Sequence, residues 1–303
     1  MDAELRLLAE RQGGLFLTSQ ALARGTGDTT LRKAVDRGHV LRLARGLHLL
    51  ATHEAETADE RHLQLARGGL LLMPDALLSH WTAVLAHGLP VLRVPSVARL
   101  RRPIRRQVIR EGFVVDPNPG EAVTTEHGPT TAVDRAVLDL ARLRGLEAGL
   151  VSADAALNAG LVTHQVLLDL AHALRGQGAG AARRTAELAD GRIESVGESR
   201  LRYACLLGGI QLVPQVKIRN RDGEFVARVD FLVKDTKVAI EFDGKVKYAD
   251  GDGRTLWNEK QREDALRRLG YTVVRVTWQD FEDPAALLAR IREAVASSQL
   301  LAG

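Results

Sequence analysis

Apolar and polar residues alternate along two neighbouring segments near the end of the chain. In residues 225–233 every second side chain is apolar, and residues 238–243 repeat the pattern. Alternate side chains of a β-strand share one face, so both segments are predicted to be strands with one buried face. The short segment 234–237 predicts a hairpin turn between them. That turn sets Val233 opposite Val238.

The same register brings acidic side chains together. It sets Asp230 opposite Glu241 and Arg228 opposite Asp243. Like charges directly opposite each other destabilise a strand pair, unless a cation lies between them. A hard cation such as Mg²⁺ binds one or two carboxylates together with phosphate oxygens. The pattern predicts a site for Mg²⁺ (or Mn²⁺) on Asp230 and Glu241. The alternative is a solvated outer face on which Asp243 pairs with Arg228.

The segments around this hairpin predict helix, three-stranded meander, helix, strand and helix. The predicted bounds are 193–207, 210–218 with the two hairpin strands, 255–269, 271–278 and a last helix from about Asp283. This order, together with the acidic pattern, resembles the PD-(D/E)XK nuclease superfamily, and within it the branch of very-short-patch-repair (Vsr-like) endonucleases. The resemblance covers roughly the last third of the chain.

The resemblance implies roles for individual residues. Asp230 and Glu241 would hold the metal, and Glu198, or as second choice Glu194, would be the acidic residue supplied by the preceding helix. The superfamily places a lysine two residues after the second acid, where this chain has Asp243. Lys247 would then stabilise charge on the scissile phosphate, while the metal activates a water. The implied activity is Mg²⁺-dependent cleavage or nicking of duplex DNA, of a repair or defence type.

Helix signals in the first fifty residues predict a winged helix-turn-helix. Asp2 caps the first helix, Thr18 or Ser19 opens the second, and Asp28 caps the third, which stops at Gly38. A short hairpin follows as the wing. Because a third helix of this kind meets DNA bases and a wing meets phosphates, these elements supply the candidate contacts. They are Thr29, Thr30, Arg32, Lys33, Arg37, Arg42 and Arg45.

This N-terminal segment resembles the first domain of AbiEi-type antitoxins of type IV toxin–antitoxin systems, which are DNA-binding repressors. The resemblance implies duplex DNA as a partner and, for a repressor of this kind, a toxin as a second partner. The alternative is a small helical domain that contacts protein, because fold alone does not fix function.

The middle of the chain, residues 51–190, is predicted to be mostly helical with one basic β segment, and it again resembles the AbiEi-like architecture. Residues 93–110 contain arginines and no acid. Such a run is either the solvated edge of a β-ribbon or a grip on a phosphate backbone, since the arginine fork suits phosphate. Arg102, Arg105 and Arg106 are the candidates for the second role.

Composition narrows the class of protein. The 303 residues predict an α/β chain of three domains, at 1–50, 51–190 and 191–303. The net charge of +4 mildly favours an anionic partner. The single cysteine, Cys205, falls in a helical apolar run and excludes a disulfide within the chain. No apolar run reaches membrane-spanning length, so a soluble, cytoplasmic protein is expected.

Two main readings follow. The first is a bacterial DNA endonuclease or nickase, placed on DNA by the winged helix. The alternative is a non-catalytic DNA-binding regulator of the antitoxin kind with a degenerate nuclease fold. The opposed acids favour the first reading, and Asp243 at the lysine position favours the second. An adaptor that contacts protein ranks third, and the sequence leaves a homodimer open.

Overall fold

The computed structural model describes residues 2–117, 120–244 and 253–300, and it gives only the backbone for 253–260 and 299–300. The chain divides into two compact units. The first comprises Met1–Ala156 and Leu161–Leu188, and the second Leu157–Gly160 and Ala189–Gly303. Both units combine helices with β-sheet, and the described residues form twelve α-helices and three sheets. The predicted mixed α/β architecture is confirmed.

The first unit begins with three short helices and a three-stranded sheet. The elements are α1 Ala3–Arg11, β1 Leu15–Leu17, α2 Thr18–Leu22, α3 Asp28–Asp36, β2 Val40–Ala44 and β3 Leu47–Leu50, with strand order β1-β3-β2. Asp2 caps α1 as predicted, because its carboxylate accepts from the backbone of Glu4 and Leu5. The predicted cap of α3 is wrong by one residue: Gly27 is the cap, and Asp28 lies in the first turn. There its charge suits the helix dipole.

The rest of the first unit surrounds a six-stranded sheet of order β6-β7-β5-β4-β9-β8. Its elements, including the helix that runs on to Asn158, are α4 Ala58–Leu72, β4 Leu77–Leu78, α5 His80–Ala86, β5 Ala98–Arg102, β6 Val108–Arg110, β7 Phe113–Pro117, β8 Ala122–Thr125, β9 Gly128–Thr131, α6 Val133–Arg144, α7 Leu146–Asn158, α8 His164–Ala173 and α9 Ala179–Leu188. The sheet is larger than the one basic β segment expected.

One apolar core joins the N-terminal hairpin to the six-stranded sheet. Leu47 and Leu49 of β3 belong to the same buried cluster as Leu100 of β5 and Phe113 of β7. Gly68 of α4 lies directly against Leu47, where a Cβ would approach the leucine side chain to 2.3 Å. Each fully buried side chain of this size contributes about 1.5–3 kcal/mol. The first fifty residues are therefore stabilised by the sheet that follows them.

The second unit has the predicted order of elements. They are α10 Val196–Leu207, β10 Leu212–Arg219, β11 Phe225–Val233, β12 Val238–Asp243, α11 Gly253–Arg268, β13 Thr272–Thr277 and α12 Pro284–Leu300. The sheet order is β10-β11-β12-β13, with β13 parallel to β12. Helix α10 begins three residues later than predicted, because Ser195 accepts from Glu198 N as its cap.

The hairpin of β11 and β12 has the predicted register. Phe231 pairs with Ile240 and Leu232 with Ala239. The side chains of Phe231 and Ile240 are fully buried, in one cluster with Leu287 and Ile291 of α12. Since a slip of one residue would turn these apolar side chains to the other face, the core fixes the register. It also fixes which way the acidic residues point.

Candidate nucleic-acid interface and carboxylate cluster

Helix α3 presents a polar, basic face to solvent. Its buried anchor is Leu31, 7% exposed, which packs with Val40 of β2 and Phe16 of β1. The predicted contact residues of this helix are all exposed: Thr29, Thr30, Arg32, Lys33 and Arg37. Within the described part of the chain, none of the three basic side chains forms an ion pair. The exposed acids of the same helix, Asp28 and Asp36, offset part of this charge without a direct ion pair, so α3 with Arg37 keeps a small net positive charge.

The hairpin beside α3 carries two exposed arginines, and one of them forms an ion pair. Arg45, in the turn between β2 and β3, is exposed and forms no ion pair with a described residue. The guanidinium of Arg42 donates to Glu111 Oε2 at 2.7 Å, and both side chains are about half exposed. All four residues of β3 are buried. The predicted wing is thus packed on its sheet along one strand, with its basic residues on the other strand and the turn.

The arginines of residues 93–110 divide into two groups. Three of them form carboxylate pairs: Arg99 with Asp116, Arg101 with Asp139 and Arg102 with Asp75. Arg102, predicted to contact DNA, donates two hydrogen bonds to Asp75, at 2.7 and 3.0 Å.

The second group has no such partners. Arg105 and Arg106 are exposed, and neither has an ion pair among the described residues. The sequence alone does not indicate which of these arginines form ion pairs, because the partner acids lie far away along the chain.

In the second unit, Asp230 and Glu241 lie on neighbouring strands in the predicted register. Asp230 Oδ2 accepts from the Phe242 N–H at 2.8 Å. Glu241 Oε1 accepts from Arg262 Nη2 of α11 at 2.6 Å. Burial raises the pKa of both carboxyl groups, and the charge of Asp230 raises the pKa of Glu241 further. The pair is therefore destabilised in its doubly ionised form.

Glu198, the third predicted acid, is 6% exposed and lies in the first turn of α10. Its carboxylate accepts from Ser195 Oγ at 2.8 Å, from Glu194 N at 3.1 Å and from Gln215 Nε2 at 3.0 Å. Burial raises its pKa, and the charge of Asp230 adds to the shift. Glu198 is thus held at the start of α10 by its contacts with Glu194, Ser195 and Gln215, and its pKa responds to the charge of Asp230.

Gln215 is a member of this cluster that sequence reasoning missed. It adopts a left-handed backbone, with φ of 55°, and its Oε1 is a buried acceptor with no hydrogen-bond partner among the described residues. A buried amide oxygen without a donor costs about 1–3 kcal/mol. The one available signal was the Pro214-Gln215 pair, which interrupts an otherwise strand-like segment.

Two further expectations concern the edge of the cluster. The alternative pairing of Arg228 with Asp243 is corrected: Arg228 donates to both carboxylate oxygens of Glu194, at 2.8 and 2.9 Å. Asp243 ends β12, half-buried. Lys247 lies outside the described residues. No trio of His, Cys, Asp or Glu side chains within the described ranges is arranged to hold a metal ion.

Comparison with known proteins assigns the N-terminal segment. Residues 3–51 match the family model described as "Transcriptional regulator, AbiEi antitoxin". The first fifty residues are an AbiEi-type domain. This confirms the family predicted for that segment, and it is independent of the carboxylate cluster.

Two curated relatives come from Mycobacterium tuberculosis, strains CDC 1551 and H37Rv, under the names "Uncharacterized protein MT2308" and "Uncharacterized protein Rv2248". Each is 32% identical over 164 residues, which cover 53% of this chain and 59% of the relative. A solved structure titled "Crystal structure of RV2827C protein from Mycobacterium tuberculosis" aligns with a TM-score of 0.38 at 11% identity, over 72% of this chain and 87% of that one. Within the described residues, no helix is long and apolar enough to span a membrane.

Proposed function

We propose that the protein is a DNA-binding transcriptional regulator of the AbiEi antitoxin kind. The observation that carries this proposal is that the basic side chains of α3 are exposed and form no ion pair with a described residue, in the segment that matches the antitoxin family. Exposed guanidinium and ammonium groups without carboxylate partners are ready to replace the counterions of a phosphate backbone. We expect α1 to β3 to act as a winged helix-turn-helix on duplex DNA.

The geometry supports a division of labour within this domain. Thr29 and Thr30, at the start of α3, would face base edges, where the first residues of a recognition helix make their contacts. Arg32, Lys33, Arg37 and Arg45 would contact phosphates and supply most of the affinity. Because such contacts release counterions, binding should weaken steeply as salt rises.

The test compares two double variants that remove the same charge. Arg32→Ala/Arg37→Ala removes two exposed arginines of α3, whereas the control Arg175→Ala/Arg184→Ala removes two exposed arginines elsewhere in the first unit. Fluorescence anisotropy with duplex DNA should show the salt slope of the α3 variant reduced by about 1.8 and the control unchanged. Equal slopes for the two variants, or no binding by the wild type, would refute the proposal.

A second function is favoured by one observation in the second unit: the register of β11 and β12 brings Asp230 and Glu241 together on adjacent strands, where burial raises the pKa of both. We propose that this unit is a PD-(D/E)XK-like hydrolase of phosphodiester bonds. Asp230 and Glu241 would hold Mg²⁺ or Mn²⁺, and the orphaned Oε1 of Gln215 is a further hard oxygen donor beside Glu198. When bound, the metal would supply Lewis acidity and lower the pKa of a water.

The residues of the chain have separate tasks in that reaction. The Phe242 N–H donates to Asp230 Oδ2 and orients that carboxylate. The guanidinium of Arg262 in α11 lies beside Glu241, where this guanidinium would contact a phosphate oxygen. Glu198, held by Ser195 and Gln215, would add negative charge next to that site. Incubation with supercoiled plasmid should give metal-dependent nicking that Asp230→Ala abolishes. Unchanged plasmid would leave the regulator as the function of the whole chain.

Two partners follow from the regulator proposal. An antitoxin-type repressor acts on its own operator, so duplex DNA is the first partner, and a toxin is the second. Neither binding mode requires the carboxylate cluster. Asp230→Ala is therefore expected to leave DNA binding intact, which separates the two proposed functions experimentally.

A further inference from the structure

Strand β6 is an edge strand that the fold leaves open. It is the first strand of the six-stranded sheet and pairs, among the described residues, with β7 alone. All three of its residues are exposed, with Ile109 at 75%. An open edge of this kind normally invites pairing with another chain, so its surroundings decide what it can bind.

The surroundings of β6 are strongly basic. Arg105, Arg106 and Arg110 are exposed and form no ion pair with any described residue. Their neighbours Arg99, Arg101 and Arg102 are each matched to a carboxylate of the same unit. The sequence from 93 to 110 contains no acid. Of the seven arginines in this run, the fold therefore pairs three with carboxylates and leaves four without an ion pair among the described residues.

The open edge is continuous with the N-terminal domain. The turn from β6 to β7 contains Glu111, which accepts from Arg42 of β2 at 2.7 Å. The next residue, Gly112, lies against Ala44 of β2, where a Cβ would approach the Ala44 Cβ to 3.5 Å. Even if fully extended, residues 105–110, of which only Val108–Arg110 are strand, span at most about 17 Å from first to last Cα. Residues 105–110 thus extend the surface of the hairpin by no more than about half a turn of B-DNA.

We propose that residues 105–110 form a second phosphate-binding element that extends the contact made by α3 and the β2–β3 hairpin along duplex DNA. This element presupposes the DNA-binding function proposed above. The ion pair between Glu111 and Arg42 positions this element relative to the β2–β3 hairpin. A second copy of the chain is the less suitable occupant, since antiparallel pairing of two β6 edges would set arginines near arginines.

The test measures binding of a labelled random-sequence duplex of about 30 base pairs, nearly three helical turns, as a function of salt. The double variant Arg105→Ala/Arg106→Ala is compared with the control Arg175→Ala/Arg184→Ala, which carries the same charge change, and with Arg105→Lys/Arg106→Lys. The alanine variant should lose about 1.8 in salt slope and up to about 60-fold in affinity at about 0.1 M salt. The lysine variant should retain most of both, because the contacts are to phosphate.

Glu111→Gln tests the continuity of the two elements. Release of Arg42 beside the DNA path should raise the salt slope by about 0.9. An unchanged slope would place Arg42 and the turn away from the DNA and overturn the extension.

The outcomes separate this element from the function on which it rests. If Arg32→Ala/Arg37→Ala weakens binding while Arg105→Ala/Arg106→Ala behaves like the control, the second element is overturned and the regulator stands. If the wild type does not bind DNA, both fail. If the β6 variant changes self-association in sedimentation and leaves DNA binding unaltered, β6 is an interface between copies of the chain, and the inference is wrong.

Discussion

The two units concentrate charge in opposite ways. In the first unit, Arg32, Lys33 and Arg37 stand exposed on α3 without ion pairs among the described residues. In the second unit, Asp230 and Glu241 are half-buried on adjacent strands, and burial raises the pKa of each. The basic face costs the folded chain little, because water solvates it. The acidic pair is only partly offset by Arg262 beside Glu241, so it costs the folded chain stability unless a proton or a further cation joins it.

That contrast indicates what each surface can bind. A solvated cationic face selects a large polyanion through many weak contacts, each sensitive to salt. A desolvated acidic pair selects a small, highly charged cation or a proton. Both surfaces would act on the same polymer if the second unit is a nuclease. They would act separately if the chain is a regulator. Four variants test this difference between the two surfaces.

The largest effect is expected at Asp139, where the first unit buries a carboxylate instead of exposing it. Asp139 is 1% exposed and accepts from Arg101 at 2.8 Å and from Arg135 at 2.7 Å. Removal of one partner of a buried pair leaves the other charge desolvated. Asp139→Ala should therefore lower the free energy of unfolding by about 3–5 kcal/mol. Urea denaturation measures it.

Asp75→Ala is the matched control, because the Asp75–Arg102 pair is partly exposed. It should cost less than about 1 kcal/mol. A similar loss in both variants would show that the buried network is no stronger than a surface pair. The first unit would then resemble the second in tolerating poorly matched buried charge.

The next effect tests whether the basic domain folds with the sheet behind it. Leu47→Ala removes a fully buried side chain that packs against Gly68. The expected loss is about 3 kcal/mol, from transfer plus the cavity left behind. Hydrogen exchange should show lost protection in α4 and β7 as well as in β3. The exposed Leu7→Ala is the control; loss of protection confined to residues 3–50 would instead define a separate folding unit.

A smaller, opposite effect is expected at Asp230. Burial raises the pKa values of Asp230, Glu241 and Glu198, so the folded chain binds these protons more tightly than the unfolded chain does. Their stabilising contribution is complete below about pH 4 and is lost as the pH rises through the raised values. Asp230→Asn should therefore raise the free energy of unfolding at neutral pH. The difference should vanish below about pH 4.

The control for this variant is Asp235→Asn, at an exposed turn position with φ of 59° that asparagine tolerates. Added Mg²⁺ gives a second readout besides cleavage. It should raise the melting temperature of the wild type and leave Asp230→Asn unchanged if the second unit binds metal. Equal responses of the two proteins would show that Mg²⁺ does not bind at this site.

The sequence predicted the acidic hairpin because alternation and a short turn fix a register, and the buried Phe231–Ile240 pair holds it. It did not predict the six-stranded sheet, because strands such as Leu77–Leu78 and Gly128–Thr131 are too short for a period of two to show. The sequence also did not predict which arginines of residues 93–110 form ion pairs. Arg102 and its partner Asp75 are 27 positions apart, and no local pattern indicates such a contact.

The smallest effect is expected at Glu194, and it defines the edge of the acidic cluster. The Glu194–Arg228 pair has good geometry, but its side chains are 43% and 47% exposed. Water and salt screen such a pair, so Glu194→Gln should change stability by less than about 1 kcal/mol and lose even that at high salt. Glu194 also raises the pKa of Asp230. The same variant should lower the pKa of Asp230, so the stability lost as the pH rises should be lost at a slightly lower pH. A large loss that persists in high salt would make Glu194, with Glu198, a structural member of the cluster.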